Sequence, residues 1–139
     1  MRVWHWQNAN SLVFFYEENG FCGLFTGDTG AEQERAILKE REQLAAAGKT
    51  ENGRIGIDVY KAAHHGSKYS NSSELLERIS PTISVISCAE KNRYGHPHAE
   101  AVARMKESGS EIICTMDAGQ ITIKIREGKL LVEQFVERK

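Results

Sequence analysis

The chain has 139 residues and carries 18 Lys and Arg against 19 Asp and Glu, for a net charge of −1. That length suits one domain over residues 1–139 with a sizeable core, and the balanced charge argues against a strong basic field for nucleic acid, leaving room only for a local patch. No apolar run approaches the roughly 18 residues of a membrane helix, and the start, Met1-Arg2-Val3-Trp4-His5-Trp6, lacks the apolar stretch of a signal peptide.

Taken in chain order, Ser11–Tyr16 reads as a strand, Glu18-Asn19-Gly20 as a hairpin turn suited to positive φ, and Phe21–Thr26 as the return strand. Gly27-Asp28-Thr29-Gly30 is the loop that follows. Ala31 to Ala47, rich in Ala, Glu, Gln, Arg and Leu, predicts a helix stopped by Gly48. A buried strand runs through Ile57, Val59 and Tyr60, and Ser72-Ser73 can cap a short helix carrying Leu75, Leu76 and Ile79. Thr82–Ser87 is a strand, and Ala89 to Pro97 a loop. His98 to Ser108 is a helix with Ala101, Val102 and Met105 on one face. Three strands close the chain: 111–115, 120–125 with alternating isoleucines, and 130–136 after a turn at Gly128. The order ββ-α-β-α-β-α-βββ predicts an α/β class with helices packed on a sheet.

Cys22, Cys88 and Cys114 each lie in an apolar run and none forms a CxxC pair. An odd, scattered set reads as buried small hydrophobes in a reducing compartment such as the cytoplasm, not as a disulfide framework.

Chemistry concentrates in three places. Asp28 sits in a glycine-flanked loop after a strand, where a carboxylate can hold or bridge metal ions, or can simply make a turn. His64-His65-Gly66-Ser67 follows the next strand. On an extended backbone the two rings point to opposite sides, so one is expected to ligate a metal while the other orients it, holds an oxyanion or packs. Gly66 to Ser73 is rich in hydroxyls and carries Lys68, so Ser67 and Lys68 are candidates for cradling a phosphate, against the alternative of a solvated loop with a helix cap. Asn92-Arg93-Tyr94-Gly95-His96-Pro97-His98 is the third cluster. Arg93 suits a phosphate, and His96 can donate to an oxyanion or protonate a leaving group. His98 is expected to cap the next helix, and the alternative for the whole segment is a proline-ordered turn. His5, between Trp4 and Trp6, is expected to pack or face solvent.

Asn10-Ser11-Leu12-Val13, Thr26-Gly27-Asp28, His64 to Lys68, Asn92 to His98, and Thr115 with Gly119 to Ile123 occur in an order that resembles the C-terminal half of a metallo-β-lactamase-fold hydrolase, of the ComEC-type subgroup that accompanies DNA uptake. The resemblance implies half of an αββα sandwich, a mixed sheet with helices on one face. It implies zinc or manganese, with Asp28 bridging two ions and His64 or His65 as the last histidine ligand. It implies His96 on the substrate side and a phosphodiester or DNA substrate. The family's HxHxDH motif is missing: His96-Pro97-His98 has Glu100 where the aspartate belongs and Ala101 where the last histidine belongs. The chain is therefore expected to be half a site, completed by an N-terminal half or a second copy that covers an apolar face carrying Leu12, Phe14, Val85 or Ile123. Two other readings stand beside it. One is a non-catalytic half-domain binding nucleic acid or protein through Lys68 and Arg93. The other is a single-metal hydrolase on Asp28, His64 or His65, and His96.

Overall fold

The computed structural model describes residues 2–8 and 11–136, with side chains from residue 11 onward, so the expectations for the His5 ring and for Asn10 lie outside the described residues. Strands β1 (Arg2–Asn8), β2 (Ser11–Glu18), β3 (Phe21–Phe25), β4 (Val59–Lys61), β5 (Ile83–Ile86) and β6 (Glu111–Cys114) form a six-stranded sheet in sequence order. The first three run antiparallel to their neighbours, and β3 through β6 run parallel. β1 lies beyond the strands expected from the sequence. Helices α1 (Ala31–Ala46), α2 (Ser73–Ile79) and α3 (Ala99–Glu107) supply the crossovers. A short turn of helix, α4 (Thr115–Ala118), leads into a separate hairpin of β7 (Gln120–Arg126) and β8 (Lys129–Phe135). The chain is thus α/β with a mixed sheet.

Local signals account for most of these boundaries. The backbone of Gly30 donates to the Gln33 side chain at the start of α1. Gly48, at φ +67°, turns the chain out of α1, its N–H bonding back to Ala45 O. Ser72 Oγ accepts from Leu75 N at 3.3 Å and caps α2 as expected. His98 does stand at the N-cap of α3, but its ring makes no cap bond.

Two apolar clusters face opposite sides of the sheet. The larger joins Val13, Phe15, Leu24 and Tyr60 of the strands to Ile37, Leu76 and Met105 of the three helices. The smaller joins Val59, Ile83 and Ile113 to Ile121, Ile123, Leu130 and Val132 of the hairpin. Val85 and Ile123, expected bare, are half-buried against this second cluster because the hairpin folds back over it. Phe14 is half-buried too, whereas Leu12 and Phe25 remain 46% and 44% exposed.

The inward positions of β2 alternate as Val13, Phe15 and Glu17, so a carboxylate is carried into the core. The buried stripe of α1, Glu34, Ile37, Leu38, Arg41 and Leu44, also includes two charges. Arg41 Nη1 meets Glu17 Oε1 at 2.6 Å, its Nη2 donates to Cys22 Sγ at 3.1 Å, and its guanidinium lies 4.9 Å over the Phe15 ring. Both charges are fully buried, so each depends on the other for its solvation. Burial also pushes the Cys22 thiol up to about 12, against the lowering effect of Arg41.

Arg41→Met should strand Glu17 and lower stability by roughly 3–5 kcal/mol, read from urea unfolding midpoints. Adding Glu17→Leu to the same chain should recover most of that loss, because the uncompensated charge is then gone.

Candidate functional site

The parallel strands β3, β4 and β5 all end at the same edge of the sheet, and the loops that leave them carry Asp28, the histidine pair and the Arg93 to His98 segment. This is the carboxyl edge where open α/β sheets place their ligands. The first two loops are joined directly: His64 N donates to Gly27 O at 3.0 Å, and Asp28 N donates to Ser11 Oγ at 3.1 Å. Asp28 itself is exposed.

The backbone at the histidine pair is not extended, which corrects the expectation of rings on opposite sides. After Ala62 the chain enters a tight turn, with His64 at φ 46°, ψ 48° and His65 at φ 54°, ψ 28°. Gly66 continues it at φ +82°. Left-handed geometry at two successive non-glycine residues costs on the order of 1–3 kcal/mol each, so the surroundings must enforce it. Asn71, wholly buried, does this. Its Nδ2 donates to Ala63 O and Ser67 O, both at 3.1 Å. Its Oδ1 accepts from Ala63 N and Tyr60 OH, both at 2.9 Å. One carboxamide therefore grips the loop on both sides of the histidines. Gly66 closes the other side: a Cβ there would stand 2.7 Å from Pro97 Cβ, and Gly66 O accepts from His98 N at 3.0 Å.

The result brings four imidazoles together. His96 lies 5.4 Å from His64, 6.3 Å from His65 and 4.8 Å from His98, centroid to centroid. Two of the rings have assignable tautomers. His65 Nδ1 lies 2.7 Å from Ser87 O, which can only accept, so Nδ1 carries the hydrogen and a neutral ring presents its lone pair at Nε2. His98 Nδ1 accepts from Lys68 N at 3.0 Å, so its Nε2 carries the hydrogen instead. That bond also replaces the cap bond expected of His98. His96 is held below its ordinary value by burial and then by the charges of His98, His64 and His65, with Asp28 pulling the other way.

The remaining candidates divide. Ser67 is buried, and its Oγ accepts from Tyr69 N at 3.3 Å. Lys68 and Arg93 are exposed, with Lys68 Nζ 5.5 Å from the Tyr69 ring centre and the Arg93 guanidinium 4.7 Å over Tyr94. Arg93 also bonds the Tyr94 hydroxyl. Among the described residues, no three His, Cys, Asp or Glu side chains converge closely enough to hold a metal ion. The donors are of the right chemical kind, but those among the described residues do not fit an ion between them, nor the single-metal arrangement with His96.

Other groups at this edge escape a sequence reading. Glu34, buried on α1, accepts from Asn71 N at 2.5 Å and Ser72 N at 2.8 Å. Arg104 of α3 donates to the carbonyls of Lys68, Ser70 and Asn71. Cys88 and Cys114 bring their sulfurs to 3.3 Å, beside a cavity of about 400 Å³, so they are a pair and not isolated apolar residues. Burial, then the bond and charge of Cys114, push the Cys88 thiol up to about 12.

No family model matches the chain. It is 28% identical over 120 residues to ComE operon protein 3 of Bacillus subtilis, covering 86% of this chain and 14% of that protein. It is 27% identical over 150 residues to Recombination protein 2 of Haemophilus influenzae, covering 96% of this chain and 17% of that protein. Competence protein ComA of Neisseria gonorrhoeae is 27% identical over 128 residues, with 92% and 17% covered. The chain thus spans 14–17% of the length of these relatives. Among the described residues, no helix is long and apolar enough to cross a membrane.

Asn71→Ala should leave the Ala63 carbonyl and the buried Tyr60 hydroxyl without their Asn71 partner, at roughly 1–3 kcal/mol for each buried group stranded, while Ser67 O keeps Ser70 N at 3.2 Å and Ala63 N keeps the Tyr60 hydroxyl at 3.3 Å. A lowered urea midpoint, with amide exchange accelerated first at residues 63–67, is the expected signature.

Proposed function

We propose that the chain is a segment of a competence-type DNA-uptake protein, and that its histidine edge is the C-terminal share of a metallo-β-lactamase-type phosphodiester hydrolase site. The observation that carries this reading is the gathering of Asp28, His64, His65 and His96 at the ends of three adjacent parallel strands. The competence-related names of the similar proteins supply the DNA context. In this reading a zinc or manganese ion needs further donors, since those among the described residues do not converge.

The chain's own residues have defined parts. Asp28, in a loop tied to both Ser11 and the His64 backbone, offers a carboxylate. His65 offers Nε2, aimed by the Ser87 carbonyl, and the carbonyl raises that nitrogen's basicity. His96, whose protonated form is disfavoured by burial and by the histidines around it, can offer one N–H and one lone pair to a substrate oxygen. Lys68 and Arg93 bring positive charge to the same edge for a phosphodiester backbone. The exposed Leu12 and Phe25 mark where the companion half, or a second copy, adds its surface.

The lack of a converged donor set among the described residues favours a second reading, a non-catalytic half-domain that binds nucleic acid through Lys68 and Arg93. Hydrolysis of bis-p-nitrophenyl phosphate by the complete protein, with added manganese or zinc, separates the two. Under the hydrolase reading Asp28→Ala lowers turnover by more than the roughly 10–100-fold typical of losing an outer partner of a metal ligand. Turnover undiminished in Asp28→Ala would sink it. Absence of turnover, with DNA binding that weakens as salt rises, supports the binding module.

A further inference from the structure

We propose that the cavity beside the ends of β5 and β6 is a nucleobase site, in which a single unpaired base stacks beside Tyr94 without being read for its identity. The proposal rests on the nucleic-acid reading above and adds what part of the polymer this edge grips.

The cavity measures about 400 Å³, inside the roughly 300–1,000 Å³ span of small-ligand sites. Its wall is aromatic. The Tyr94 ring lies 5.7 Å from His96 at an interplanar angle of 23°, and His96 lies 6.3 Å from His65, again at 23°. Rings set in these near-parallel planes fix the orientation a flat guest would adopt. Tyr94 is 59% exposed, yet it is held by His96 and by the Arg93 guanidinium 4.7 Å over its ring. An exposed aromatic fixed in this way is a preformed stacking surface, and the guanidinium can itself lie on a base.

Asn92, Thr115 and the Nδ1 of His65, which line the cavity, are already spent on neighbouring groups. Asn92 Oδ1 accepts from Tyr94 N and His96 N, while its Nδ2 donates to Ala89 O and His96 O. Thr115 Oγ1 accepts from Cys88 N and donates to Cys88 O, both at 3.0 Å. Ser87 O takes the His65 hydrogen. The Cys88 thiol stays uncharged at neutral pH, since burial pushes it up to about 12. Base identity is read through free donors and acceptors facing the base edge. With the Asn92 amide, the Thr115 hydroxyl and His65 Nδ1 committed internally, the cavity offers chiefly stacking area, and every base has a π-face. In a duplex both faces of each base are covered, so the guest is a base of a single strand. Arg93 and Lys68, both exposed at this edge, suit the phosphates on either side of it.

The test is fluorescence anisotropy with 5′-fluorescein-labelled octamers at fixed salt, using oligo-dT, oligo-dA and an abasic octamer of the same charge. Oligo-dT and oligo-dA should bind within a few-fold of each other, and the abasic strand roughly 5- to 150-fold more weakly. Tyr94→Ala should weaken oligo-dT by a similar factor and leave the abasic strand unchanged, while Tyr94→Trp keeps the wild-type order. Equal binding of oligo-dT and abasic strands overturns the base site and leaves the DNA reading standing. Equal losses on both strands in Tyr94→Ala overturn the stacking role. A strong preference between oligo-dT and oligo-dA overturns the indifference to identity, and no binding by any octamer overturns both this proposal and the DNA reading.

Discussion

A single buried carboxamide decides the shape of this protein's chemical edge. Asn71 satisfies two carbonyls and accepts from one amide N–H and one tyrosine hydroxyl, and the segment it spans contains the left-handed pair His64-His65. Without it, the buried Ala63 carbonyl and the Tyr60 hydroxyl would lose their partner, and the ordinary extended course after a strand would be the cheaper one. Asn71 is in turn fixed from two directions. Glu34 of α1 takes its N–H, and Arg104 of α3 takes its carbonyl. The helices therefore do more than cover the sheet: they transmit the position of the core to the histidine loop.

The same economy appears further along α1. Glu34 and Arg41 lie two turns apart on one buried stripe, so the helix sends one charge toward the histidine loop and the other toward β2. Each charge is buried only because its partner is hydrogen-bonded to it. Rotating or sliding α1 would break both contacts at once. An apolar stripe tolerates such a shift more readily, so the two charges fix the helix in register as well as stabilising it. Whatever the edge binds, its geometry depends on that register.

Much of this was open to a reader of the sequence. Strand and helix positions follow from alternation, from Gly48 and from the Ser72 cap, and the gathering of Asp28 with both histidine loops follows from β-α-β order. What stayed hidden is what depends on contacts between distant residues. Glu34 and Arg41 sit in a charged helix, where solvent is the default reading of any single charge. Asn71 sits in a run of serines that reads as a solvated loop. Cys88 and Cys114 are 26 residues apart, and only the register of β5 against β6, with Ile86 opposite Cys114, brings them together. The left-handed turn had one local signal, Gly66. Its meaning came from Pro97, whose contact with Gly66 the sequence alone does not display.

The turns at Asn19-Gly20 and at Gly128 have a practical consequence. Asn19-Gly20 joins β2 to β3 at the start of the parallel strands, and Gly128 lies beside it across a shared surface depression. Both turns therefore sit at the end of the sheet away from Asp28 and the histidines. A surface-coupled or fluorophore-bearing version of this protein, attached through either turn, would hold the molecule by its blunt end and leave the imidazole edge facing the solution.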